Sequence, residues 1–214
     1  MINTVLLDFD GTLMNTRDGI LNSWIHLFQV LRNETPSEEK LKNTFGEPLK
    51  VSLGKFFHDE PLEKCLKIYR KYQNTHQGEM MIPFDGVIET VLALKEKGCK
   101  IGLVTSRLDI SAKKGLDEIG ILQCFDSLIT ANTVEHHKPH PEPILKALDE
   151  LGSKKEEAIM VGDTIFDLKA SKNAGVKSVL VGWSEDITTL EEVGEFKPSF
   201  VIKEAKELLD IVEV

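Results

Sequence analysis

Positive charge is in short supply along this chain of 214 residues, whose formal net charge is −9. A polyanionic backbone demands a positive field, so neither a nucleic acid nor an anionic membrane is expected as a partner. Cysteine is scarce too. Cys65, Cys99 and Cys124 are widely spaced and form no C-x-x-C pair. Their odd number argues against a disulfide framework or a zinc site, so they read as reduced, largely buried thiols of a cytoplasmic protein. Long apolar runs are missing: no segment approaches the roughly 18 consecutive apolar residues of a membrane span. The first apolar run lacks a basic flank and meets Asp8 too soon for a signal peptide. There is no internal repeat, no low-complexity segment and no sign of oligomeric state. What remains is an ordinary globular composition, 41% apolar and 29% charged, long enough for one large domain or a core domain with a smaller insert. The acidic balance leaves a small phosphorylated substrate open, because such a ligand needs only local positive charge and a metal.

The hydrophobic pattern changes character twice. Val5 to Leu7 is a short apolar strand that runs into Asp8 and Asp10, with Gly11 and Thr12 breaking the pattern. From residue 15 to about 80 the spacing is helical throughout. One helix spans Arg17 to Leu31, a second starts at Ser37 as N-cap, a third covers Leu49 to Phe57, and a fourth covers Leu62 to about Gln77. After Met81-Ile-Pro-Phe-Asp-Gly86, strands and helices alternate. Strands are expected at 100–105, 127–130, 158–161, 178–181 and 198–202, with helices at 87–97, 110–119, 141–151 and 168–174 and a last helix finishing the chain. Alternation of this kind predicts an α/β fold: a Rossmann-like parallel sheet with helices on both faces, built from residues 1–14 and 81–214. Right-handed crossovers place every strand's carboxyl end on one edge, where open sheets bind ligands. The helical block 15–80 is too large for a simple crossover and reads as a small cap domain over that edge.

Four polar clusters fall on that predicted edge. In Asp8-Phe-Asp10, residues two apart on extended chain point the same way, and two such carboxylates repel unless a cation meets them. Magnesium takes oxygen ligands of this kind, leaving one acid free to attack and the other to shuttle a proton. The competing reading, a turn in which Asp10 caps the next helix, is about as good for this pair alone. Thr105-Ser106 supplies a hydroxyl and a backbone N–H at a strand tip, by itself a weak signal beside an ordinary turn or cap. His136-His-Lys-Pro-His-Pro141 holds Lys138 between positions that the following prolines bias to extended geometry. Its three histidines lack a companion Cys/His set, so they read as loop or solvated side chains. Met160-Val-Gly-Asp-Thr-Ile-Phe-Asp167 ends a buried strand in Asp163, with Asp167 four residues on; an N-cap role for Asp163 or Thr164 is the alternative. Together the four supply a nucleophile, a second acid, a phosphate-binding hydroxyl, a cation and a metal ligand, which is the part list of one reaction class.

These residues resemble a family. Asp8-Phe-Asp-Gly-Thr-Leu13, Thr105-Ser106, Lys138-Pro139 and Gly162-Asp-Thr-Ile-Phe-Asp167 are similar, in order and over essentially the whole chain, to the four motifs of the haloacid dehalogenase-like hydrolases. The insert resembles the C1 cap of the phosphoglycolate phosphatase and pyrophosphatase branch, and Phe45-Gly-Glu-Pro-Leu49 resembles a cap loop of that group. The resemblance implies a Mg2+-dependent phosphoric monoester hydrolase or inorganic pyrophosphatase acting through an aspartyl-phosphate. It implies Asp8 as nucleophile and Asp10 as acid and base. Gly11, Thr105, Ser106 and Lys138 would hold the phosphoryl group. Magnesium would lie on Asp8, the Asp10 carbonyl and Asp163, with Asp167 orienting metal-bound water or Lys138. Glu47 is the cap residue expected near the leaving group. A phosphomutase of the β-phosphoglucomutase type is the alternative, since it uses the same motifs.

Overall fold

The structure is a computed structural model and describes residues 1–76, 81–184 and 193–213. The first strand, β1 (Thr4–Leu7), leads through a two-residue strand, β2 (Met14–Asn15), into four helices: α1 (Arg17–Arg32), α2 (Glu38–Leu41), α3 (Leu49–Phe56) and α4 (Leu62–His76). The predicted end of the fourth helix at Gln77 and the border at residue 80 lie outside the described residues. After β3 (Ile82–Pro83) come α5 (Val87–Glu96), β4 (Lys100–Val104), α6 (Asp109–Glu118), β5 (Ser127–Ile129) and α7 (Glu142–Leu151). The rest is β6 (Ala158–Gly162), α8 (Ile165–Ala174), β7 (Lys177–Val181), β8 (Phe200–Ile202) and α9 (Leu208–Ile211).

Six strands form one sheet in the order β5-β4-β1-β6-β7-β8, with every pairing parallel. The strands are short apolar runs because both faces are covered. Val5 and Leu7 of β1 join one core with α5, α6 and the C-terminal turns. Leu6, between them, joins a second core with α7 and α8. This is the period-two alternation of an extended chain, made apolar on both faces by helices above and below. Leu7 pairs with Leu103 on one side and Val161 on the other. The residues that follow β1, β4 and β6 therefore emerge side by side at the carboxyl edge. The chain first travels from β1 out to β5 and then crosses to β6, so β1 and β6 flank the switch point where an open α/β sheet has its crevice.

The helices α1 to α4 have a core of their own, separate from the sheet's, built on Trp24, Leu27, Phe28, Leu41, Leu53, Phe57, Leu66 and Tyr69. Trp24 is its centre, edge-on to Phe56 at 5.7 Å and to Tyr69 at 5.2 Å between ring centroids, spacings typical of favourable aromatic pairs. Ser37 caps α2, its Oγ accepting from the Lys40 N–H at 3.3 Å. The two strands that the sequence pattern did not reveal, β2 and β3, pair antiparallel as Met14 with Pro83 and Asn15 with Ile82. They tie together the two chain segments that lead into and out of the helical block. Helix α8 begins at Ile165, earlier than the expected Leu168, because Asp167 and Thr164 build its first turn (below). Cys65, Cys99 and Cys124 are all buried free thiols. No helix among the described residues is long and apolar enough to cross a membrane.

Candidate active site

Burial decides the chemistry of the carboxyl edge. Lys138 arrives on the loop between β5 and α7, and its side chain is only 3% exposed. Its three ammonium hydrogens are fully used: Nζ donates to Asp8 Oδ1 at 2.9 Å, to Asp167 Oδ1 at 2.6 Å and to the Val104 carbonyl at 3.2 Å. Burial alone would lower the lysine's pKa, but Asp167 and Asp8 outweigh it and push the value up, so the ammonium stays charged. Asp167 spends its other oxygen on its own helix start, where Oδ2 accepts from the Thr164 N–H at 3.1 Å and Thr164 Oγ1 at 2.7 Å. With both oxygens held by protein donors, Asp167 aims Lys138 at Asp8.

Asp163 follows β6 and sits beside this group. Its Oδ2 accepts from Ser184 Oγ at 3.0 Å, and its Oδ1 lies 3.4 Å from Thr12 Oγ1. Asp8, Asp163 and Asp167 are all buried and each offers an oxygen within 4.8 Å of the others. Burial pushes the Asp8 carboxyl up to about 7, with Lys138 opposing and Asp167 and Asp10 adding. Burial, then Asp167 and Asp8, push Asp163 well above the carboxylate range. Three buried carboxylates face one ammonium. That excess of negative charge, presented by hard oxygen donors alone, fits a divalent cation of the magnesium kind.

Gly11 shows how tightly the cradle closes. Its φ is +76°, and a Cβ there would stand 1.9 Å from Asp163 Oδ2, so only glycine lets β1's loop approach this carboxylate. Gly11, expected to help hold the phosphoryl group, has its N–H donating to the Met14 carbonyl at 2.9 Å. Thr105 and Ser106 do lie beside Asp8, at the end of the neighbouring strand. Ser106 Oγ is buried and has no hydrogen-bond partner among the described residues, an orphan of the sort an incoming oxyanion would satisfy.

Asp10 does not join the carboxylate cluster. Its side chain turns toward the helical block, where Oδ1 accepts from Thr16 Oγ1 at 2.7 Å and Arg107 Nη2 at 2.6 Å, and Oδ2 accepts from Arg107 Nε at 3.2 Å. Burial raises its pKa, but the Arg107 guanidinium and these hydrogen bonds outweigh that and hold it below the usual range. Two residues at this site, Arg107 and Ser184, were not anticipated from sequence. Arg107 directly follows Thr105-Ser106, a position that could have flagged it. Ser184 lies just past β7, a strand end that carries no acid to attract notice.

The cleft above these groups is lined by Asp10, Gly11, Asp163 and Thr164 from the sheet edge and by Arg17, Phe45 and Gly46 from the helical block. Gly46, at φ +78°, sits so close to the β6–α8 loop that a Cβ would stand 2.9 Å from Thr164 Cγ2 and 3.1 Å from Phe166. Glu47, expected near the leaving group, directly follows Gly46. Its carboxylate accepts from Ser52 Oγ and from Lys55 Nζ of α3, donors a few residues on that satisfy it within the helical block. The histidine loop is likewise a local clamp. Glu142 accepts from the Glu135 and His136 N–H groups at 2.8 and 3.0 Å and lies 2.8 Å from His136 Nδ1. His136 and His140 are exposed beside it with rings 4.5 Å apart.

Residues 5–181 match the family model described as haloacid dehalogenase-like hydrolase. The pyrophosphatase PpaX of Halalkalibacterium halodurans is 40% identical over 213 residues, covering 100% of this chain and 98% of that protein. The PpaX pyrophosphatase of Bacillus cereus is 36% identical over 211 residues, covering 99% of this chain and 96% of its own. Among solved structures, a haloacid dehalogenase-like hydrolase from Bacteroides fragilis superposes with a TM-score of 0.89 at 26% identity, over 97% of this chain and 100% of that one. By its family match, its full-length relatives and its fold, this chain belongs to the haloacid dehalogenase-like hydrolases.

Proposed function

We propose that the protein is a Mg2+-dependent phosphohydrolase whose substrate is a small phosphate anhydride, inorganic pyrophosphate foremost, with small monoesters of the phosphoglycolate type as the wider class. The observation that carries this reading is the buried contact of Asp8 with Lys138 at 2.9 Å, set against Asp163 on the neighbouring strand end. A nucleophilic carboxylate is held by a permanently charged ammonium next to a pair of acids suited to a metal. The PpaX relatives, at 36–40% identity over nearly full length, support pyrophosphate over a sugar phosphate and speak against the mutase alternative.

In this reading Asp8 attacks phosphorus in line and the bond to the leaving oxygen breaks, giving an aspartyl-phosphate. Asp10 supplies the proton to that oxygen and takes one back from the water that hydrolyses the intermediate. Lys138 neutralises Asp8 and the transferring group, while the Thr105 hydroxyl, Ser106 Oγ and the Ser106 N–H hold its oxygens. Asp8, the Asp10 carbonyl and Asp163 would hold Mg2+, which supplies charge neutralisation to the phosphoryl oxygens. Ser184 and Thr12 fix the Asp163 carboxylate for that role, and Asp167 fixes Lys138. Residues 15–80 act as the cap, with Phe45 and Gly46 closing the cleft from above. Phosphoryl transfer asks mainly for positioning and electrostatics, and these groups provide both.

The test is phosphate release from pyrophosphate, phosphoglycolate, nucleotides, sugar phosphates and an aryl phosphate with Mg2+. Pyrophosphate is expected to give the highest kcat/KM. Asp8→Asn is expected to remove turnover of every substrate by roughly 10⁴-fold or more. Retained activity in that variant refutes the mechanism, and isomerisation of a sugar phosphate without phosphate release refutes the hydrolase reading.

A further inference from the structure

Arg107 joins the turn after β4 to the carboxylate of Asp10. Its N–H donates to Thr105 Oγ1 at 3.1 Å and its carbonyl accepts from the Ala131 N–H at 2.8 Å, so its backbone belongs to the same turn as the phosphoryl-binding hydroxyl. Its side chain crosses from there toward the cap. The guanidinium lies 5.0 Å over the Phe9 ring, Nη1 donates to Ser111 Oγ at 2.8 Å, and Nε and Nη2 fork onto Asp10. Together with Thr16, Ile20, Gln73 and Asn74 it lines a cavity between the sheet edge and α1 and α4. In-line attack from Asp8 puts the departing oxygen on the far side of phosphorus from Asp8, and the cap lies on that side.

The fork has a chemical consequence. Both oxygens of Asp10 are occupied, one of them twice over, so Asp10 cannot reach a leaving oxygen while the pair is intact. A neutral alcohol leaving group offers the guanidinium nothing in exchange. A departing phosphate offers a second oxyanion, two of whose oxygens the planar guanidinium can bind in bidentate fashion. We infer that Arg107 is the specificity residue for a charged leaving group: its guanidinium passes from Asp10 to the departing phosphate and so frees Asp10 at little cost, whereas a neutral leaving group leaves the breaking of that pair uncompensated. This inference rests on the phosphohydrolase reading above. The step is balanced. An Asp8 oxygen–phosphorus bond forms as the bridging phosphorus–oxygen bond breaks. Released by Arg107, Asp10 takes up a proton from solvent and passes it to the bridging oxygen, which keeps the electron pair, and its phosphate leaves paired with Arg107. Water then attacks the aspartyl-phosphate, breaks the bond to Asp8 and gives a proton to Asp10, which loses it to solvent as Arg107 returns.

The experiment compares pyrophosphate with an aryl phosphate, with Mg2+, in wild type, Arg107→Met and Arg107→Lys. Removing a donor aimed at transition-state charge costs on the order of 100-fold, so Arg107→Met should lose about that factor in kcat/KM for pyrophosphate. The aryl phosphate has no leaving phosphate for the guanidinium to bind, so the ratio of pyrophosphate to aryl phosphate kcat/KM should fall by at least about tenfold in Arg107→Met. Lysine keeps the charge without the fork, so Arg107→Lys should recover part of the lost preference for pyrophosphate over the aryl phosphate. On an Asp8→Asn background, calorimetry should show pyrophosphate with Mg2+ binding at least tenfold more weakly when Arg107→Met is added. Equal losses on both substrates, or unchanged pyrophosphate affinity on that background, overturn the inference and leave Arg107 a structural partner of Asp10. Should Arg107→Met fail to fold, the substrate split in Arg107→Lys decides alone. A wild type that hydrolyses the aryl phosphate but not pyrophosphate refutes the substrate reading itself, a separate pattern from an equal loss in the variants.

Discussion

Raising the pH of the metal-free protein should destabilise it, and Mg2+ should reverse the loss. The perturbation acts on the acids at the sheet edge. Asp8 is held up from the ordinary 3.8 to about 7, chiefly by burial, and Asp163 is raised by the same cause. For a carboxyl whose folded pKa lies above its unfolded one, the native state binds more protons between the two values. The stability this group contributes is then complete below the unfolded pKa and is lost as pH rises through the folded pKa. From pH 5 to pH 8 the Asp8 contribution covers about two pH units of that slope, or roughly 3 kcal/mol. Asp163 acts in the same direction. Asp10 and Asp126 are lowered instead, so their contributions fade only as the pH falls toward their folded values, on the acid side of this window. For a chain of this size 1 kcal/mol moves Tm by about 2–4 °C, so metal-free Tm should drop by roughly 6–12 °C between pH 5 and pH 8. A cation bound only by the folded state at a hundred times its Kd restores about 2.7 kcal/mol. Thermal unfolding followed by circular dichroism across that window, with EDTA or with Mg2+, reads both effects. In Asp163→Asn the metal-free slope should be shallower and the Mg2+ effect much reduced. A flat metal-free profile together with no Mg2+ stabilisation at pH 8 refutes the placement of a divalent cation among these carboxylates.

Two further outcomes follow from individual contacts. Lys138→Met strands Asp8 and Asp167 without their shared ammonium. It should cost about 3–5 kcal/mol in denaturant unfolding and lower kcat about 100-fold or more; activity within threefold of wild type would remove Lys138 from the chemistry. Gly46→Ala places a Cβ against Thr164 and Phe166 at a left-handed φ. It should lower kcat/KM about tenfold, mainly through KM, for a Tm change worth roughly 1–2 kcal/mol; unchanged steady-state kinetics would show that the cap need not seat on the β6–α8 loop during turnover.

The sheet and its reactive edge were legible in the sequence because both are written locally. A run such as Thr4–Leu7 or Ala158–Gly162 is apolar on both faces only if it lies between helix layers, and an acid directly after it must then emerge at the edge where strands end. Asp8 and Asp163 follow from that logic, while Lys138 was marked by the prolines of its loop and Asp167 by its place four residues after Asp163. The helical spacing between residues 15 and 76 was readable for the same reason, since each helix buries one stripe in a core centred on Trp24. What required the folded chain is every contact whose partners are far apart in sequence. Arg107 meets Asp10 across 97 positions, and Ser184 meets Asp163 across 21. Nothing in the local pattern of Ser184 distinguishes it from a solvated side chain, and Arg107 is marked only by its place directly after Thr105-Ser106. Two-residue strands such as β2 and β3 carry no periodicity to detect. Glu47 shows the same dependence: a residue on such a loop can face the cleft or its own helix, and in the folded chain Ser52 and Lys55 donate to its carboxylate. The sequence by itself determined which groups stand at the carboxyl edge, because strand ends are set by local hydrophobic pattern. Only the tertiary structure decided how Asp10 is held and which backbone closes over the cleft, because those depend on packing between elements that meet only once the chain is folded.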